Sequence, residues 1–226
     1  MRIDILTLFP GMFHAVFGES ILKIAQDKKL VRLFLHNIRD YSRDKHKCVD
    51  DKPYGGGGGM VIKPEPLFHA VETVEKQAAQ AAKKILLTPQ GKTFDQQIAI
   101  DLAQESRLMF ICGHYEGFDE RIRLGIELME ISIGDYVLTG GEIPAMVVTD
   151  AVVRLIPGVL GGKRSLQYES FMNKMLDYPQ YTRPEVFRGM KVPEILRSGN
   201  HKSIEEWRKD ESAKKTEERR PDLLAK

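Results

Sequence analysis

Cysteine is scarce in this sequence. Cys48 and Cys112 are the only two in 226 residues, far apart, with neither a CxxC nor a paired-histidine spacing beside them. That excludes a disulfide framework and argues against a zinc site. An excess of one charge is lacking too: the formal net charge is +2, so the total advertises no nucleic-acid partner. Long apolar runs are absent. The longest such region, residues 143–160, is interrupted by Asp150 and Arg154, and the amino-terminal Met1-Arg2-Ile3-Asp4-Ile5-Leu6 carries an acid and no small-residue cleavage site. Neither reads as a membrane span or a signal peptide, so the expectation is a cytoplasmic protein without membrane association. Phosphate-loop signatures are missing as well: Gly162-Lys163 is followed by Arg164, Pro157 stands where a P-loop needs its first glycine, and no GxGxxG follows a strand. Nucleotide phosphate binding and nicotinamide chemistry lose their usual support.

What is present is 42% hydrophobic residues, enough for a buried core in one large domain with a small appendage. The charge is unevenly spread. Between residues 23 and 47 there are eight basic residues (Lys23, Lys28, Lys29, Arg32, Arg39, Arg43, Lys45, Lys47) against Asp27, Asp40 and Asp44. On charge alone a solvated face is the simpler reading, and a phosphate-facing surface the alternative.

Residues 3–9 form a short apolar strand stopped by Pro10-Gly11, after which Phe13, Val16, Phe17, Ile21 and Ile24 recur at helical spacing. Residues 31–38 alternate as a second strand, and 39–53 are a polar loop. The loop runs into Gly55 to Gly59, five consecutive glycines. Their flanks look folded, which favours backbone packed closely on a ligand or another chain over a flexible linker. Pro64-Glu65-Pro66 opens a helix expected to reach about residue 82.

Three similar units follow. A strand at 84–87 ends in Thr88-Pro89-Gln90-Gly91 before a helix over 94–105. A strand at 107–111 ends in Cys112-Gly113-His114-Tyr115-Glu116-Gly117 before a helix over 118–128. A strand beginning at Ile131 runs into Ser132-Ile133-Gly134-Asp135-Tyr136-Val137-Leu138-Thr139-Gly140-Gly141-Glu142 before a helix to 155. Strand, glycine-bearing loop and helix, three times over, predict an α/β fold with a mostly parallel sheet. Ligands of such sheets sit at the carboxyl ends of the strands, so the three loops are expected to converge on one pocket. Tyr136 and Leu138 offer apolar walls there, and Pro144 suits a helix's first turn. Beyond Pro157-Gly158, residues up to 174 read as a linker. The stretch Asp177-Tyr178-Pro179-Gln180-Tyr181-Thr182-Arg183-Pro184 is too proline-rich for a helix, with Asp177 read as an Asx-turn residue, and short helices are expected around Trp207.

Four of these motifs in order, namely Leu87 to Gly91, Cys112 to Arg121, Ile133 to Glu142 and Asp177 to Pro184, resemble the bacterial tRNA (guanine-N1)-methyltransferases of the SPOUT superfamily. The likeness extends to about Pro193. It implies a deep trefoil knot built from the three loops, which nothing in the periodicity shows and the general rarity of knots would argue against. It implies a SPOUT cofactor-binding domain over 1–160, a linker over 161–175 and a small α-helical tRNA-binding domain over 176–226. It also implies a homodimer with the active site at the interface, S-adenosylmethionine as methyl donor, magnesium, and the anticodon stem-loop of tRNA as partner, with guanine 37 methylated.

By the same resemblance, Leu87, Thr88, Pro89, Gly113, Tyr115, Glu116, Ser132, Ile133, Gly134, Asp135, Tyr136, Val137, Leu138, Gly140 and Gly141 would bind the cofactor. His114 is read as a packing residue. Arg154, Asp50, Gly59 and Asp177 would bind substrate, and the pentaglycine and basic segment would face tRNA. Methylating N1 of guanine asks for a base at N1, positive charge near O6 and an in-line methyl. Arg154, set among apolar residues at helical spacing, matches the family's guanine-holding arginine. Glu169 stands where the family has an aspartate, and its extra methylene shifts the carboxyl by more than about an ångström unless the linker adjusts; Asn173 and Lys174 likewise replace the usual Asp-Gly. Asp177 is the reserve carboxylate. The alternative is an RNA-binding relative whose methyl transfer is weak or altered. No acidic cluster in the sequence identifies magnesium ligands.

Overall fold

A computed structural model describes residues 1–161 and 168–225, so Gly162, Lys163 and Arg164, with the adjoining part of the expected linker, lie outside the described residues. The chain divides into two compact units, Met1–Gly161 and Gly162–Lys226.

The first unit is built on five parallel strands: β1 (Arg2–Thr7), β2 (Arg32–Asn37), β5 (Lys83–Thr93), β6 (Arg107–Cys112) and β7 (Met129–Ser132), in the order β2-β1-β6-β5-β7. The alternation read in the sequence sorts their side chains onto two faces. Ile3, Ile5, Ile85, Leu87, Leu108, Phe110 and Cys112 point to one core, and Leu6, Leu86, Met109 and Ile111 to the other. Helices α2 (Ser20–Asp27), α4 (Gln96–Ala103) and α6 (Glu142–Val153) cover the first core; α3 (Pro64–Glu75) and α5 (Arg121–Gly125) cover the second. A two-residue hairpin, β3 (Asp50–Asp51) with β4 (Val61–Ile62), carries the pentaglycine in its connection.

Several elements are shorter than their sequence patterns. The first helical segment breaks into a 3-10 turn (Pro10–Phe13), α1 (His14–Phe17) and α2, because the chain passes through Gly18 and a positive φ at Ser20. Helix α3 stops at Glu75 rather than near 82. The buried Arg107 donates to the carbonyls of Val74 (2.6 Å), Glu75 (3.0 Å) and Gln80 (2.9 Å), so a side chain from β6 satisfies acceptors that a longer helix would have used. Helix α5 has one turn because Phe118 and Asp119 pair with Ile62, the Asp119 amide donating to the Ile62 carbonyl at 3.0 Å. Helix α6 ends at Val153, its last turn tightened by Leu155 and Ile156 amides bonded three residues back before Pro157.

In the second unit, Val186–Phe187 (β8) and Met190–Lys191 (β9) form a hairpin, and Glu194–Arg197 a 3-10 turn. The helical segments expected around Trp207, over 192–196 and 203–220, are that 3-10 turn and a helix of 19 residues, α7 (His201–Arg219), capped by Asn200. Its buried Thr216 accepts from the Leu176 amide at 2.8 Å while Ser212 donates to the Leu176 carbonyl at 2.5 Å, fixing the proline-rich segment against the helix. Asp177 is not an Asx turn. Pro179 offers no amide two residues on, and the carboxyl accepts instead from the Gln180 side chain at 3.5 Å. No helix among the described residues is long and apolar enough to cross a membrane.

Candidate functional site

The three loops that leave β5, β6 and β7 meet at the carboxyl end of the sheet. The first arises inside β5: Leu87 and Lys92 both stand opposite Ile131, so Thr88, Pro89, Gln90 and Gly91 are pushed out of the ladder. The second and third are stitched together. His114 bridges Gly140, and the Gly141 amide donates to the Gly113 carbonyl at 2.8 Å. A Cβ on Gly141 would stand 2.7 Å from Cys112 Cα, so only glycine allows this approach.

Between the loops lies a cavity of about 460 Å³. Of the residues the sequence assigned to a cofactor, Leu87, Thr88, Pro89, Gly113, Tyr115, Glu116, Ser132, Ile133, Gly134, Tyr136, Val137, Leu138, Gly140 and Gly141 all line it. Asp135 does not. The walls are largely backbone and apolar side chain, suited to a ligand with both polar and greasy parts. Ser132 is held in place by donating to the Gly134 carbonyl at 3.0 Å, and the Tyr136 hydroxyl donates to the Ile133 carbonyl at 3.3 Å.

Sequence reasoning missed several neighbours. Gln90, Phe118, Glu120, Arg123 and Thr139 also face the cavity. His114 packs between Phe9 and Tyr115, with ring centroids 4.8 and 4.9 Å away, and its buried Nδ1, which faces Gly140, has no hydrogen-bond partner among the described residues. Behind the loops, Glu142 is buried in the first turn of α6 and accepts from the Thr7 hydroxyl at 2.7 Å. An acid between Gly-Gly and an apolar helix was the available signal. Burial, and then the Glu142 carboxyl, push the Cys112 thiol well above its ordinary pKa, which keeps it neutral and unsuited to nucleophilic work.

The glycine-rich hairpin docks on the second loop. The Glu116 amide donates to the Met60 carbonyl at 2.9 Å, the Ile62 amide to the Gly117 carbonyl at 2.9 Å, and a Cβ on Gly59 would collide with the Glu116 side chain. Asp50 opens the same hairpin as its first paired residue. Neither lines the cavity. Arg154 caps the carboxyl end of α6 and is half-buried. Glu169 and Asp177 belong to the second unit, both half-buried. In the basic segment, Lys23 pairs with Asp27 at 2.5 Å and Lys47 with Asp40 at 2.7 Å, while Arg39 donates to the Tyr115 hydroxyl at 3.4 Å. Among the described residues no group of three or more His, Cys, Asp or Glu is placed to hold a metal ion.

Fold and cavity together define a class: an α/β protein whose parallel sheet carries three converging loops around a cavity of a size for one mid-sized organic ligand. A family model described as tRNA (Guanine-1)-methyltransferase TrmD matches residues 1–226. Proteins named tRNA (guanine-N(1)-)-methyltransferase are similar over nearly their whole length. One from Dehalococcoides mccartyi is 60% identical over 226 residues, covering 100% of this chain and 91% of its own. Others from Bacillus cereus and Bacillus anthracis are each 58% identical over 224 residues, covering 99% of this chain and 92% of their own. The chain belongs to the TrmD family of tRNA (guanine-1)-methyltransferases.

Proposed function

We propose that this enzyme transfers a methyl group from S-adenosylmethionine to N1 of guanine 37 in tRNA, as a cytoplasmic homodimer. The observation that carries the reading is the three-loop cavity in a chain of this family: its backbone-lined walls and apolar rings fit a nucleoside joined to an amino-acid tail. Bound there, S-adenosylmethionine supplies an electrophilic methyl. The residues that would hold it are Leu87, Gly113, Ile133, Tyr136, Leu138 and Gly140, with Glu116 near its polar end. The His114–Gly140 bridge ties the second loop to the third, and the trefoil knot that the family likeness implies would thread the chain through these loops.

Glu169 takes the proton from guanine N1 as the new N–CH3 bond forms, and Arg154 sets its guanidinium against the charge that develops at O6. The face of α6 supports the dimer. Residues 143, 147, 150 and 154 fall on one stripe at helical spacing, with Ile143, Val147 and Asp150 exposed, so two uncovered apolar side chains and then a carboxylate lead to Arg154. Asp50, Gly59 and the pentaglycine, anchored to the Glu116 loop, together with Asp177 and the basic segment, would contact the RNA. Magnesium is a different matter: the described residues offer no donor set for it, and no step is assigned to it.

Labelled methyl transfer to a tRNA transcript, and to the same transcript with the target guanine replaced, tests the reading. Transfer to the first alone is expected. Glu169→Ala should lower transfer by about 10²- to 10⁴-fold, and both it and Arg154→Ala should leave donor affinity nearly unchanged. No transfer at any protein concentration would leave only an RNA-binding relative.

A further inference from the structure

The second unit holds a cavity that the transfer chemistry leaves unused. It measures about 600 Å³ and is walled by the aromatic rings of Tyr168, Tyr178, Tyr181 and Trp207, with Glu205 and Arg208 among them. One wall is a face of α7, where residues 201, 204, 205 and 208 recur at helical spacing; the other is the proline-rich stretch that Ser212 and Thr216 pin to the same helix. The space is too large for a packing void, since protein interiors leave few gaps bigger than a water. Its lining is also wrong for one. The Arg208 guanidinium lies 4.8 Å from the Tyr178 ring centre, and its buried Nε has no hydrogen-bond partner among the described residues. Tyr181 and Trp207 stand 6.5 Å apart, centre to centre, and tilted at 51°. Glu205 accepts a long 3.4 Å bond from the Tyr168 hydroxyl and lies 3.5 Å from the Lys209 ammonium, both exposed contacts.

Flat rings, a stacked guanidinium with a donor to spare and a carboxyl at the edge match a flat heteroaromatic ligand with hydrogen-bonding edges. We propose that this cavity binds one unstacked nucleobase of the tRNA substrate, in addition to the guanine that is methylated. That the ligand is RNA rests on the reading above; that a base is stacked here rests on the cavity itself. The rings supply affinity, and Glu205 with Arg208 reads the base edge.

Trp207 is the single tryptophan of the chain, so its emission reports on this cavity alone. Titrating the full-length protein with tRNA should quench it. In a scan of the anticodon stem-loop, one abasic replacement away from the target guanine should abolish the quench and weaken binding roughly ten- to a hundredfold. Trp207→Leu should weaken tRNA binding to the same degree with donor affinity unchanged, and Trp207→Phe should restore it. Retention of tRNA on filters with Trp207 emission unmoved overturns the proposal, and that measurement stands even where Trp207→Leu does not fold. Transfer without quenching sinks the base pocket alone; quenching without transfer sinks the methyltransferase reading and leaves the pocket standing.

Discussion

Asp4 shows how much a single residue can hold in place. It is fully buried in β1, where Arg107 Nε donates to Oδ2 at 3.0 Å, Arg2 Nη2 to Oδ1 at 2.8 Å, and His36 Nε2 lies 2.9 Å from Oδ1. Through Arg107 the same carboxylate is tied to the carbonyls that end α3. Burial by itself would raise the Asp4 pKa; hydrogen bonds from His36, Arg2 and Arg107 outweigh it and lower the value from 3.8 to about 2. A depressed carboxylate stabilises the fold above its unfolded pKa and loses that effect as pH falls through its folded one. Stabilisation of about 2 kcal/mol is therefore expected above pH ~4, fading towards pH ~2. Asp4→Asn should cost about 3 kcal/mol at pH 7, because Arg107 is left buried without its counter-charge. Urea unfolding of both proteins across that range checks this: their gap should narrow as pH drops, and a constant gap would show that the carboxylate's charge is not what matters. In the sequence Asp4 is only an acid inside a short apolar run. Its partners come from positions 36 and 107, and no local pattern announces a bond across a sheet.

At the scale of elements, function depends on how tightly three loops can approach one another. Gly141 is the narrowest point: an added Cβ would meet Cys112 Cα at 2.7 Å and the Gly113 nitrogen at 2.8 Å, both backbone atoms that cannot swing aside. Gly141→Ala is expected to destabilise the protein by about 1–3 kcal/mol through overpacking and, by parting the second and third loops, to reduce methyl transfer by roughly a hundredfold. Gly11→Ala, whose Cβ would meet nothing within 4 Å, should do neither. Denaturation and donor-binding calorimetry on the pair separate local fit from a general dislike of alanine; equal behaviour of the two would refute the close-approach argument. The strands of this sheet were readable because their period-2 alternation feeds two cores, and the loops because glycine clusters at strand ends have few other uses. Helix ends were less readable. Helix α3 is stopped by Arg107 and α5 is curtailed by pairing with Ile62, both tertiary events. Helix α7 was legible over 203–220 without its packing face, because its anchoring residues are Ser212 and Thr216, polar side chains that carry no hydrophobic signal. Glu142 escaped for a related reason: its partner Thr7 lies 135 residues away.

For the whole molecule, the proposed homodimer would link assembly to activity through α6. The helix buries Ala145, Val148, Thr149, Val152 and Val153 and leaves Ile143 and Val147 on its outer stripe, 46% and 44% exposed. Large apolar side chains facing solvent one turn apart on a helix form the kind of surface that a partner covers. The proposed guanine-holding Arg154 ends that stripe, so a second copy seated there would complete the substrate site as well as hide the patch. Val147→Asp tests both consequences at once. Since Val147 is not part of the core, the variant should fold and melt within a few degrees of the parent, as surface substitutions do. It should sediment as a monomer where the parent sediments as a dimer, keep its affinity for the methyl donor, whose cavity is lined without Val147, and lose methyl transfer to tRNA by roughly a hundredfold or more. A variant that remains dimeric and fully active would place the subunit contact elsewhere. A parent that sediments as a monomer while transferring methyl groups at full rate would remove the need for a partner altogether.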